Sequence, residues 1–216
     1  MEIEFDMSEM GAEAPKKVTG ARPGSVIDEK VTAEIWVDSV TPIVSRGSRH
    51  DVYMYTEVFA PAEYAKLVHL LGMVGADDMV VLHINTGGGM LDSCELIMNA
   101  IHECDAIVIG KLSGTVASAG TMIALACDEL EISPHCHWLS HMYSGNVAGK
   151  GSDMKAEQAF MDTEIEKMYY EIHRGFFTEE EIASLVDGKD RWLNKDQVVE
   201  RLAARELYRD GKGTNE

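Results

Sequence analysis

From Met79 onward the chain repeats one pattern: a short apolar run, a turn of glycine or small residues, and a helix with one apolar face. MVVLHIN leads into the turn 86–89 and a helix over Leu91–His102, and AIVIGKL leads into a second small-residue turn and a helix over Ser118–Cys127. Strands at about 129–132 and 137–141 follow. Nearly continuous apolar runs of this length suit strands covered on both faces, and their alternation with helices predicts an α/β fold around a mostly parallel sheet.

The flanking segments extend the pattern. Upstream, AEIWVDSV and DVYMYTEV alternate apolar and polar as half-exposed strands do, and Pro61 opens a helix with Tyr64, Leu67, Val68, Leu71 and Val74 on one face. Downstream, a link holding Gly145, Gly149 and Gly151 precedes a long helix over about Asp153–His173, with Met161, Ile165, Met168, Tyr169 and Ile172 at helical spacing. Thr178 and Glu181 match a capping box, and a last helix begins near Asn194. Residues 1–30 place Gly11, Pro15, Gly20, Pro23 and Gly24 among charges and read as a flexible arm. The expected organisation is therefore an arm, one domain over 31–210, and a disordered tail at 211–216.

Composition removes several function classes. A formal net charge of -18 repels phosphate backbones, so nucleic acid is not an expected partner. No apolar run reaches the roughly 20 residues of a membrane span, and the acidic start is unlike a signal peptide, so a cytoplasmic location is expected. Cys94, Cys104, Cys127 and Cys136 form no CxxC pair and read as free thiols.

The chemistry concentrates in the turns. Thr86-Gly87-Gly88-Gly89-Met90 lets a backbone approach a ligand closely, although a tight turn without function explains three glycines equally well. Gly114-Thr115-Val116-Ala117-Ser118-Ala119-Gly120 sets one hydroxyl among small residues at a helix start, where the helix dipole would steady an oxyanion. An N-cap serine is the structural alternative. A serine nucleophile needs a base, and His141, at the end of Trp138-Leu139-Ser140-His141, stands where a strand of a parallel sheet would end. His135-Cys136-His137 does not complete a tetrahedral ligand set, so neither a metal nor another cofactor is expected.

Taken together, INTGGG, GTVASAG and LSH, followed by a long helix and then DRWLN, resemble the proteolytic subunit of the Clp protease family over about residues 51–205. The resemblance implies a Clp/crotonase-like fold with the long helix as a protruding handle. It implies Ser118 as nucleophile, His141 as base and Asp190 as the acid that orients it. Gly89 and Ala119 match the backbone oxyanion donors, and Gly88, Met90 and Met142 fall in substrate-lining positions. The implied protein is a serine endopeptidase for unfolded or extended polypeptides, assembled as a homo-oligomer of heptameric rings that can stack. Met161, Ile165, Met168 and Ile172 would then form a stripe facing a partner ring, or else pack on their own domain.

Gly87 stands where the family has proline, and Met142-Tyr143 replace Gln-Pro, so the substrate-lining loop departs from the family's shape. An AAA+ unfoldase is the partner the resemblance raises, yet the residues before 50 show little of the family's N-terminal pattern. Four alternatives share this fold: a bacteriophage capsid-maturation protease, a crotonase-like acyl-CoA enzyme, a serine–lysine peptidase, and an inactive scaffold relative.

Overall fold

The computed structural model describes residues 44–46, 49–146 and 148–211. The expected arm at 1–30, the strand AEIWVDSV and residues 212–216 of the expected tail lie outside them. The described residues form a six-stranded sheet whose strands lie in sequence order. β1 (Val44–Arg46) pairs antiparallel with β2 (Arg49–Met54); β2, β3 (Met79–Thr86), β4 (Ile107–Ala117) and β5 (Glu129–Ser140) are parallel; β6 (Arg191–Asn194) closes the far edge antiparallel to β5.

Three crossovers join the parallel strands: α1 (Ala65–Leu71), entered through a 3₁₀ turn at Pro61–Tyr64, α2 (Leu91–His102) and α3 (Ala119–Ala126). Crossovers of one hand between successive neighbours put their helices on one face of the sheet. Accordingly α2 packs against both α1 and α3. The core lies beneath this layer, where Val52, Val80, Leu82, Ile84, Val108 and Leu112 are almost fully buried. Each such side chain contributes about 1.5–3 kcal/mol relative to exposure. The opposite face carries the more polar half of the alternation, with His83 of β3 bonded to Asp51 of β2 at 2.8 Å.

The two strands expected at 129–132 and 137–141 are one strand, β5. Its register against β4 shifts between Ile132 and Cys136, so Ser133-Pro134-His135 are accommodated opposite Ser113. Proline cannot donate to a ladder, and a bulge is where a strand tolerates it.

α4 (Gly151–His173), α5 (Glu179–Val186) and α6 (Lys195–Arg209) complete the chain. Both α5 and α6 open with complete capping boxes, Thr178 with Glu181 and Asn194 with Gln197. The apolar stripe of α4 packs largely on its own domain, which corrects its reading as a free partner-facing surface. Ile165, Tyr169 and His173 are 1%, 3% and 1% exposed, and Met161, Met168 and Ile172 are half-buried. The first part of α4, to Glu164, is largely exposed and carries Phe160 in the open.

Candidate active site

Parallel strands end at one edge of the sheet, and the chemistry-bearing turns fall there together. β3 ends at Thr86 before the glycine turn, β4 at Ala117 before Ser118, and β5 at Ser140 before His141. A cleft at the carboxyl edge is the usual ligand site of such sheets. Here a cleft of about 380 Å³ is lined by Gly89, Met90, Ser118, Ala119, Met122 and His141 among others.

Ser118 sits in an unusual backbone conformation, φ 53° and ψ −125°. It is the one non-glycine residue with positive φ among the described residues. Such a conformation costs on the order of 1–3 kcal/mol and persists only where the surroundings impose it. They do so from two sides. The Ser118 N–H donates to the Leu139 carbonyl at 2.8 Å, and its carbonyl accepts from Thr121, both from the backbone N–H at 2.9 Å and from Oγ1 at 2.6 Å. The strand thus breaks sharply into α3, every residue of which is buried. Ser118 therefore stands at the positive end of a helix dipole in a low-dielectric setting. A strained serine at a strand-to-helix turn is the geometry of a nucleophile elbow.

The glycine turn fits under this elbow. A Cβ on Gly88 would lie 2.5 Å from Ser118 Cβ and 2.8 Å from the Ala117 carbonyl oxygen, and one on Gly89 would lie 2.2 Å from the Val58 carbonyl oxygen. Both positions have φ between +95° and +151°. Val58 N–H donates to Gly88 C=O, and Met90 N–H donates to Val58 C=O, each at 2.8 Å. In a parallel bridge of this kind the middle residue turns its own N–H and C=O to the other side. Gly89 N–H therefore points away from Val58. Ala119 N–H, first in α3, has no intrahelical acceptor. These are two donors on residues that line the cleft. By contrast nothing lies within 4 Å of a Cβ on Gly87, so glycine in place of the family's proline answers no steric demand.

His141 is half-buried, and its Nδ1 lies 2.6 Å from the Met142 carbonyl oxygen. A carbonyl only accepts, so Nδ1 carries the proton and Nε2 of the neutral ring keeps its lone pair. The His141 carbonyl accepts from the Tyr169 hydroxyl at 2.5 Å.

Asp190 is exposed and stands outside the cleft lining. It precedes β6, whose ladder pairs Ser140 with Arg191. One further step of that register sets Asp190 across from His141, although the His141 ring bonds to Met142. Gly88 lies beneath the cleft and Met142 beside it, lining a separate open recess. Glu57, Val58 and Phe59 also line the cleft and were not singled out from the sequence, and Tyr143, of the loop after His141, and Tyr169 line it with them. Tyr169 carried a signal, its place in the α4 stripe, but only the fold shows which loop it meets.

Cys94 donates to the Ala119 carbonyl at 3.4 Å, and burial pushes its thiol up to about 12, so it stays protonated beside the site. His135 and His137 face outward while Cys136 is buried on the other side of β5. Among the described residues no three His, Cys, Asp or Glu side chains converge as a metal site, and no helix is long and apolar enough to cross a membrane.

The family model for Clp protease matches residues 39–201. The ATP-dependent Clp protease proteolytic subunit 2 of Pseudomonas aeruginosa is 32% identical over 140 residues, covering 62% of this chain and 67% of that protein. The match spans the strand ends, the glycine turn and the serine elbow, and the chain belongs to the Clp protease family.

Proposed function

We propose that this chain is a serine endopeptidase acting on unfolded or extended polypeptides, with Ser118 as nucleophile and His141 as base. The observation that carries the reading is the strained Ser118 at the start of α3, in one cleft with His141. A packing serine or a plain N-cap has no need of positive φ, and Ser118 makes no side-chain cap bond.

His141 Nε2 takes the Ser118 Oγ proton as Oγ bonds to the scissile carbonyl carbon. The carbonyl π electrons move to oxygen, where the N–H groups of Gly89 and Ala119 and the dipole of α3 meet the new negative charge. The C–N bond then breaks, His141 returns its proton to the leaving amine, and water repeats the sequence to release the acyl group from Ser118. The Met142 carbonyl holds the tautomer with Nε2 free. Asp190 is the carboxylate assigned to steady the imidazolium, a task for which a full charge outperforms a carbonyl dipole. Phe59, Met90, Leu91 and Met122 offer apolar contacts to a substrate side chain.

We further assign the protein to rings of its own copies, heptameric and able to stack, with the exposed first part of α4 and its Phe160 as a surface available to other copies. The relative's name attaches ATP dependence to that protein; an AAA+ unfoldase is the corresponding partner here. Ser118→Ala tests the central assignment. Its turnover of an unfolded substrate should fall by roughly 10⁴ or more with the fold intact. Retention of more than about a tenth of wild-type turnover would sink it.

A further inference from the structure

His141 lies past the end of β5, in a segment without regular structure, yet a base must stay within about 0.5 Å of its working position. The segment is fastened to α4 at two points. Tyr143 donates its hydroxyl to Asp162 Oδ1 at 2.5 Å, and Gln158 Nε2 donates to both, at 2.6 and 2.7 Å. This fastening is largely exposed, and exposed polar contacts hold little in water. The second is the Tyr169 hydroxyl on the His141 carbonyl.

Tyr169 is 3% exposed and its ring lines the cleft. Its own carbonyl accepts from His173 Nδ1 at 3.0 Å, and its ring lies against the His173 ring with centroids 5.2 Å apart. Burial raises its phenol far above the ordinary value, so it is a neutral donor at neutral pH. A donor this buried, bonded to the backbone of the residue whose ring must meet Ser118, anchors the peptide from which that ring projects.

We propose that Tyr169 is a positioning residue for His141, setting the imidazole against Ser118 from α4. This rests on the Ser118–His141 reading. In this role Tyr169 takes no part in the proton transfer; it acts through the His141 peptide.

Tyr169→Phe removes the hydroxyl and keeps the ring. Peptide turnover and fluorophosphonate labelling of Ser118 are measured across pH for wild type, Tyr169→Phe and His141→Ala, with Lys167→Met as a control for an exposed change on α4. Misplacement of a reacting group by about 1 Å can cost about 10²-fold. Tyr169→Phe should therefore lower kcat by about 10- to 100-fold with KM within about twofold, shift the pH profile of labelling, and leave circular dichroism unchanged. Lys167→Met should match wild type. If wild type labels at Ser118 and His141→Ala does not, while Tyr169→Phe matches wild type in kcat and pH profile, the positioning role is overturned and the Ser118–His141 reading stands. If Tyr169→Phe raises KM with kcat unchanged, the hydroxyl serves substrate binding and the proposal is equally overturned. Failure of Ser118 to label in wild type would remove the reading beneath it.

Discussion

Acidification titrates one buried group whose environment opposes its charge. His173 of α4 is 1% exposed, its Nδ1–H donates to the Tyr169 carbonyl, and its Nε2 has no partner among the described residues. Phe177 stacks on the ring, and the charge facing it is the Arg205 guanidinium of α6. Burial, reinforced by Arg205 and only partly offset by the Tyr169 bond, lowers the imidazole from 6.5 to about 4. The folded state therefore binds its proton less readily than the unfolded chain. Stability from this group is complete above pH 6.5 and is lost as pH falls towards 4. That interval, at about 1.4 kcal/mol per unit, amounts to about 3 kcal/mol. Urea unfolding across this window should show the decline in wild type. His173→Phe, which suits the surrounding aromatic cluster and cannot titrate, should remove most of the slope. Equal slopes in the two proteins would refute the reasoning.

Other perturbations probe the remaining elements. Gly88→Ala forces a Cβ to 2.5 Å from Ser118 Cβ at φ +95°, so Ser118 labelling should fall at least about 100-fold, and normal labelling would show the elbow is not held from below. Arg205 donates to the Leu125 and Ile172 carbonyls near the C-terminal ends of α3 and α4, so Arg205→Met should cost about 2–4 kcal/mol in urea unfolding; a loss under about 0.5 kcal/mol would contradict this. Ile165→Glu places a carboxylate at a site 1% exposed and should destabilise the chain itself, by about 3 kcal/mol or more in the same assay, before any effect on assembly.

Local chemistry made much of this fold legible. The apolar runs at 79–85 and 106–112, the capping pair Thr178–Glu181 and the helix start near Asn194 correspond to β3, β4, α5 and α6, because periodicity and capping act over a few residues. The turns holding Gly88 and Ser118 were recognisable for the same reason. What stayed hidden depends on distant partners. The sequence around Pro134 reads as a break between two strands, whereas Gly114, with φ +61°, lets β4 bend so that the ladder resumes beyond a bulge. An apolar stripe looks alike whether it meets its own domain or another copy, so the packing of Ile165 and Tyr169 was open until the tertiary contacts were known. The conformation of Ser118 is held by Thr121 nearby and by Leu139, which is not a sequence neighbour, and the bond from Tyr169 to His141 spans 28 residues.

The central claim is that Ser118 is a nucleophile made reactive by its place between the glycine turn, α3 and His141. Fluorophosphonate treatment of the folded chain, followed by digestion and mass mapping, tests this most directly. The account predicts one modified residue, Ser118, with labelling abolished by Ser118→Ala and by unfolding in urea. Modification at another serine, or none at Ser118 in a protein that still cleaves polypeptides, would contradict it.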